Sequence, residues 1–240
     1  MFVLGIEAAT PVAGVAVACE KGILAERMVF NRRTHSVNLL PMIKAVLEDA
    51  EIDKRNLSGI AVSNGPGSFT GIRICMSTGL TLAQVLGLPV FGVSTLDALA
   101  YPLAGHGRLL CPLLNARKNE VYAAVIDFSG DRPEYLAGAM AVSAGELIEI
   151  IKTMNKKVTF LGDGAPPFAG ELSAGLGDFA FFAGPAVSFP RGAAVAAIGL
   201  DAVREGRGID PRGLRPNYVR VSEAEAKLLK SKNSYRPCTQ

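Results

Sequence analysis

The chain has 240 residues, 49% of them hydrophobic, which is ample for the buried core of one large domain or two small ones and excludes a disordered chain. Its 25 Lys and Arg are scattered among 22 Asp and Glu, so the net charge of +3 is too slight to mark a nucleic-acid binder by itself. Cys19, Cys75, Cys111 and Cys238 lie far apart without a CxxC pair and read as reduced, mostly buried thiols.

In chain order, Phe2 to Ile6, Gly14 to Ala18 and Gly22 to Phe30 read as strands, and connections this short require them to be antiparallel. A helix follows over about Asn38 to Ala50, with Pro41 placed in its first turn, where no intrahelical donor is lost. Next come a strand at Ile60 to Val62, a helix at Gly71 to Leu86, a strand at Pro89 to Val93, and a helix at Thr95 to Ala104 capped by Ser94 or Thr95. Beyond the Gly-rich joint Gly105-His106-Gly107 the order recurs. Strands at Leu109 to Leu114, Val121 to Phe128 and Tyr135 to Val142 precede helix Ala144 to Met154, strand Lys157 to Leu161, a short helix near Phe168, strand Asp178 to Phe182 and helix Gly192 to Arg204. No sequence repeat accompanies this duplication of a βββαβαβα unit. The expected organisation is an N-terminal lobe at 1–105, a C-terminal lobe at 106–221 and a flexible, charged tail at 222–240. The basic clusters Arg32-Arg33 and Lys227 to Lys232 are short, the second as part of that tail. Glu7 interrupts the first apolar run, no basic region precedes it, and no stretch of ~18 apolar residues was counted, so a cytoplasmic location without a membrane contact is expected.

The segment Ala61-Val62-Ser63-Asn64-Gly65-Pro66-Gly67-Ser68-Phe69-Thr70-Gly71-Ile72-Arg73 joins a strand to a helix through two glycines and a proline. Gly65 and Gly67 permit backbone angles closed to other residues, and Ser68 or Thr70 can accept amides at the helix start. Such a turn is either a capped connection or an anion site; neither GxxxxGK[ST] nor GxGxxG is present. With Val3 to Thr10, His35-Ser36 to Leu39-Leu40-Pro41, Gly92 to Leu99, Asn115 to Tyr122 and Pro216-Asn217-Tyr218-Val219-Arg220, this run resembles the TsaB (YeaZ) family, most densely from Met1 to Tyr122.

The resemblance implies an α/β, two-lobed fold shared with actin, Hsp70 and sugar kinases, in which a nucleotide normally binds between the halves. Where the family usually has Asp-Thr-Ser-Thr, this chain has Glu7-Ala8-Ala9-Thr10, and Asn115 stands where the family usually has Asp. Two hydroxyls and one hard anionic ligand for Mg²⁺ are thereby lost, leaving Glu7, Thr10 and Asn115 as candidates for a vestigial nucleotide cleft. No cofactor is expected, with weak nucleotide binding left open. No metal centre is expected either: His35 and His106 are the only histidines, whereas the paralogous TsaD holds its metal through an HxxxH helix. Gly-x-Ser-x-Gly is absent around Ser63, Ser68 and Ser94, so no hydrolase triad stands out. Arg73 is a candidate for pairing with a carboxylate or a phosphate.

Both N-terminal helices carry two apolar stripes. In the second, Ile72, Met76, Gly79, Ala83 and Leu86 form one and Ile74, Thr78, Leu82 and Val85 the other; in the first, Leu40, Ile43 and Leu47 oppose Leu39, Met42 and Val46. A helix apolar on two sides needs covering on both. TsaB proteins pair with TsaD, or with themselves, through these helices as a four-helix bundle. The resemblance therefore implies a partner face containing His35, Leu39, Met42, Val46, Thr70, Arg73, Met76, Gly79 and Ala83. The expected function is a noncatalytic subunit that supports TsaD, with TsaE as a further partner and tRNA reached indirectly, in threonylcarbamoyl transfer to N6 of adenosine 37. The alternative is an ATP-binding kinase or ATPase of the same superfamily, using the interlobe cleft.

Overall fold

The computed structural model describes residues 1–31, 34–116, 119–130 and 132–220. The expectations for Arg32-Arg33, Cys238 and the tail lie outside the described residues. Strands β1 (Phe2–Glu7), β2 (Ala13–Cys19) and β3 (Gly22–Val29) form the antiparallel meander that their short connections require. β4 (Gly59–Gly65) and β5 (Val90–Ser94) add in parallel through the crossover helices α1 (His35–Asp49) and α2 (Phe69–Leu86), giving the order β3-β2-β1-β4-β5. After α3 (Thr95–Ala100), the strands β6 (Leu109–Asn115), β7 (Val121–Asp127), β8 (Glu134–Val142), β9 (Val158–Leu161) and β10 (Ala180–Phe182) repeat that topology as β10-β9-β6-β7-β8. Helices α4 (Ala144–Met154) and α5 (Ala165–Leu176) take the places of α1 and α2, and α6 (Gly192–Arg204) that of α3. The duplication inferred from element order is present in the strand order.

Each central strand is buried on both faces, which is why β1, β2 and β4 read as continuous apolar runs. On one face of the first sheet, Leu4, Ile6, Val15, Val17, Ile60 and Val62 pack against α1 and α2. On the other, Val3, Ala16, Ala18, Ala61 and Phe91 pack against Ala194, Val195, Ala196 and Leu200 of α6. The second sheet places Cys111, Leu113 and Phe160 under α4 and α5, and Leu110, Leu114 and Ala124 under Leu96, Leu99 and Ala100 of α3. The two units have thus exchanged their third helices: α3 covers the second sheet and α6 covers the first.

This exchange corrects the expected division. The sheets respect a boundary near residue 105, but α6 returns to the first lobe, and the segment after it stays there through the bridge between Ile209 and Val90. The physical reason lies in small residues. A Cβ on Gly5 would stand 2.3 Å from the amide nitrogen of Ala196, one on Gly14 2.8 Å from that of Gly192, and one on Gly199 2.4 Å from Ala61 Cβ. Helix and sheet backbones therefore approach too closely for side chains at these points. Glu26 of β3 completes the join, accepting from the Ala193 amide at 3.0 Å and pairing with Arg191 just ahead of the helix.

Two local readings also change. Helix α1 begins at His35, so Pro41 falls in the helix interior; it is exposed, and water can reach the carbonyl that lacks an amide partner. Helix α2, at 18 residues, has the length and composition of a membrane span, where no such stretch was expected, while its Ile72, Cys75, Met76 and Ala83 are packed in the α/β core.

The small-residue join sets one expectation. Gly5→Ala, which drives a methyl into the α6 backbone, should lower stability by about 2–3 kcal/mol, seen as a lower midpoint in urea unfolding. An unchanged midpoint would show that α6 can shift at no cost.

Candidate functional site

Two places in the fold could do work: the cleft at the carboxyl ends of the central strands, and the outer side of α1 and α2. Glu7 ends β1 at the cleft, yet it is fully buried. One carboxylate oxygen accepts from the Ala9 amide at 2.7 Å, and the other accepts from the Ser63 hydroxyl. Burial raises its pKa to about 7, against the opposing pull of the Ser63, Ala9 and Thr10 hydrogen bonds. Cys75 of α2 lies beside it, donating to the Ile6 carbonyl, and burial together with the Glu7 charge pushes that thiol well up. Thr10 is also buried, its hydroxyl accepting from the Val12 amide at 3.3 Å. Glu7 and Thr10 thus bind the β1–β2 turn to itself and to β4 rather than facing the cleft.

The glycine turn is packed against that same loop. Gly65 and Gly67 have φ of +117° and +154°. A Cβ on Gly67 would stand 2.3 Å from the Ala9 carbonyl oxygen, and one on Gly71 2.1 Å from that of Ala8. The Ser68 amide donates to the Ala9 carbonyl at 2.7 Å, and the Ser68 hydroxyl caps α2 by accepting from the Gly71 amide at 3.2 Å. Thr70 is exposed in the first helical turn. Of the two readings of this turn, the geometry matches a capped connection closed over its neighbour loop.

In the second lobe, Asn115 ends β6 and is exposed, and its amide donates to Asp163 at 3.2 Å. Asp163 was missed in the sequence. It lies in the Gly162-Asp163-Gly164 turn between β9 and α5, the counterpart of the turn between β4 and α2, and that strand–glycine–helix pattern was the signal available. Burial raises its pKa, opposed by the Asn115 and Gly164 amides. It brings a carboxylate to the cleft beside the position where Asn115 lacks one.

His35, the first residue of α1, is half-buried; its Nε2 donates to the Thr10 carbonyl at 2.8 Å, which leaves Nδ1 as a buried acceptor with no partner among the described residues. It ties α1 to the β1–β2 turn. The Arg73 guanidinium lies 3.9 Å from the Phe69 ring centroid, and its Nε donates to the Tyr218 hydroxyl at 3.2 Å.

The helix faces are the larger correction. Leu39, Met42, Val46, Met76, Gly79 and Ala83, assigned to a partner from the sequence, belong to the monomer's own core. A Cβ on Gly79 would stand 2.2 Å from Val62 of β4. The other stripe is outward only in part: Ile43 is buried and Leu47, Ile74 and Leu82 are half-buried, whereas Leu40 is 62% exposed and Val85 77%; outside the stripe, Val37 and Phe69 are exposed as well. Between the helices runs a groove of about 580 Å³, floored by Leu40, Ile43, Leu47, Ile52 and Leu82 and edged by Lys44, Glu48, Glu51, Asp53 and Lys54. Two apolar stripes were legible, but which of them meets the sheet is set by the direction in which the crossover lays each helix down.

Two sheets of one topology, with helices exchanged across a cleft, define the two-lobed fold of actin, Hsp70 and the sugar kinases. The ethanolamine utilization protein EutJ of Carboxydothermus hydrogenoformans shares it, with a TM-score of 0.50 at 14% identity over 81% of this chain and 89% of that one. The chain belongs to the TsaB (YeaZ) family of tRNA threonylcarbamoyladenosine biosynthesis proteins. It is 31% identical over 231 residues to the TsaB of Bacillus subtilis, covering 96% of this chain and 99% of that protein. Residues 23–225 match the family model described as TsaD, tRNA N6-adenosine threonylcarbamoyltransferase. A Pseudomonas aeruginosa crystal structure, described as an uncharacterized protein with similarity to peptidase YeaZ, superposes with a TM-score of 0.80 at 23% identity, over 91% of this chain and 99% of that one.

The raised pKa of Glu7 has a signed consequence. Its folded value, about 7, lies above the ordinary 4.5, so the neutral form favours folding; that stability is complete below pH 4.5 and lost as pH rises through 7. Glu7→Gln should therefore gain stability relative to the parent between pH 5 and pH 8, by about 3 kcal/mol. Urea unfolding of both proteins at the two pH values measures it, and a difference independent of pH would contradict a protonated buried Glu7.

Proposed function

We propose that this protein is a noncatalytic subunit that binds and supports TsaD in threonylcarbamoyl transfer to N6 of adenosine 37 of tRNA. The observation that carries the reading is the apolar outer face of α1 and α2, with Leu40 and Val85 largely in water. Exposed apolar side chains beside an apolar groove suit a protein interface, and the Lys and Glu residues that edge the groove supply orientation. The cleft supports the same reading from the opposite direction: Glu7 has both oxygens engaged inside the protein, and the glycine turn is closed over Ala8 and Ala9. In this reading the transfer chemistry belongs to TsaD, TsaE joins the assembly, tRNA is met through the complex, and the protein works in the cytoplasm.

Leu40→Glu combined with Val85→Glu places two charges on the outer face without entering the core. The double variant should keep the parent's melting temperature and lose the mixed complex with the cognate TsaD in multi-angle scattering, while self-association through the same face would show as a dimer in the parent alone. Met76→Glu should instead lower stability by several kcal/mol, because it buries an unpaired charge. A double variant that still binds TsaD at parental affinity would remove this surface from the interaction.

A second reading, an ATP-binding kinase or ATPase, is favoured by one observation, the Asp163 carboxylate beside Asn115. It requires Mg-ATP affinity in the micromolar range that Asp163→Asn abolishes. The scaffold reading expects calorimetry to register no such binding and the isolated chain to show no appreciable ATP hydrolysis.

A further inference from the structure

We propose that residues Arg215–Arg220 are a latch that fixes the angle between the two lobes at the mouth of the cleft. Once α6 has returned to the first lobe, the chain runs along the carboxyl end of β4. The Asn217 amide donates to the Asn64 carbonyl at 2.7 Å, and the Asn64 side-chain amide donates to the Arg215 carbonyl at 3.4 Å. Gly65 makes room for this passage, since a Cβ there would stand 2.4 Å from the Asn217 carbonyl oxygen. Tyr218 then stacks on Phe69 of α2, ring centroids 4.7 Å apart, and accepts from Arg73. Arg215, Asn217 and Tyr218 are thereby fastened to the first lobe by backbone and aromatic contacts.

Two residues further on, the segment reaches the second lobe. Arg220 Nη1 donates to the Ala116 carbonyl at 3.1 Å, and Nη2 pairs with Glu120 at 2.8 Å. Ala116 and Glu120 are themselves joined, the Ala116 amide donating to the Glu120 carbonyl at 3.1 Å. One guanidinium therefore holds both residues of this pair just beyond β6, which its planar fork of donors allows and a lysine ammonium does not. Both partners of the pair are about two-thirds sheltered, 32% and 33% exposed, so the bond is less screened than a surface ion pair.

The latch and the exchanged helices occupy different places. α3 and α6 join the lobes through packed apolar surface, which tolerates small rotations, whereas the strap spans from the carboxyl end of β4 to that of β6, where rotation would open the cleft. With Arg220 engaged the lobes have one setting. With Arg220 removed, the contacts described for Arg215, Asn217 and Tyr218 all lie within the first lobe.

The test measures the lobe-to-lobe distance in the full chain. Nitroxides on Thr81→Cys of α2 and Glu149→Cys of α4, both exposed positions, in a Cys238→Ser background, report it by double electron–electron resonance; Cys19, Cys75 and Cys111 are buried. The parent should give one narrow distance. Arg220→Ala should add a second, separated population while retaining a cooperative melt, and Arg220→Lys, which keeps the charge but not the fork, should fall between them. A distribution for Arg220→Ala that superposes on the parent's overturns the latch. Should Arg220→Ala fail to fold, Glu120→Gln and Tyr218→Ala cut the latch at its two ends, and parental distributions in both overturn it equally.

Discussion

The rest of the structure depends on the close contact of α6 with the first sheet. Gly5 and Gly14 on the strands and Gly192 and Gly199 on the helix let two backbones meet where side chains would hold them apart. Because α6 is the last helix of the second unit, this contact makes the N-terminal sheet's core incomplete until the C-terminal half is in place. The reciprocal contact, α3 on the second sheet, does the same in the other direction. Two units that could each have closed on themselves are thus one cooperative structure, held by dispersion and apolar burial over surfaces too small-sided to pack any other way. Carrying α6 back to the first lobe also delivers residues 205–220 to the edge of the cleft.

The cleft is shaped by a second constraint, the burial of a carboxyl group. Glu7 stands at the end of the first strand and is drawn inward to the amide of Ala9 and the hydroxyl of Ser63. Ala8 and Ala9 lack hydroxyls and lie against Gly71 and Gly67 of the neighbouring turn. The two loops meet through the backbone, the Ala8 and Ala9 carbonyls filling the space that side chains on Gly71 and Gly67 would need. The acid is kept for its hydrogen bonds to the backbone. Burial then disfavours its charged form, so the neutral carboxyl is a structural element with a titration near neutrality.

In the proposed function the working surface is the outer side of α1 and α2. The outer sides of α1 and α2 carry apolar residues that the monomer leaves in water, and the second aromatic cluster, Phe69 with Tyr218, extends toward that surface from the cleft edge. The family assignment places the chain among proteins of tRNA threonylcarbamoyladenosine biosynthesis.

The sequence by itself determined the kind and order of elements. Apolar runs bounded by turn residues located all ten strands, and helices α4 and α6 were placed to the residue, because local periodicity and capping are written in neighbours. The buried thiols of Cys19, Cys75 and Cys111 and the cap at Ser68 were legible for the same reason. Only the tertiary structure decided which stripe of α1 and α2 faces the sheet, where Glu7 directs its carboxylate, that Asp163 joins Asn115, and that α6 belongs to the first lobe. Each of these turns on contacts between residues far apart in the chain, tens of positions for Glu7 with Ser63 and more than a hundred for Arg220 with Ala116. A stripe or an acid shows in the sequence what could be covered or paired; what actually covers it is fixed by the direction of the crossovers and by the close approach that glycine allows.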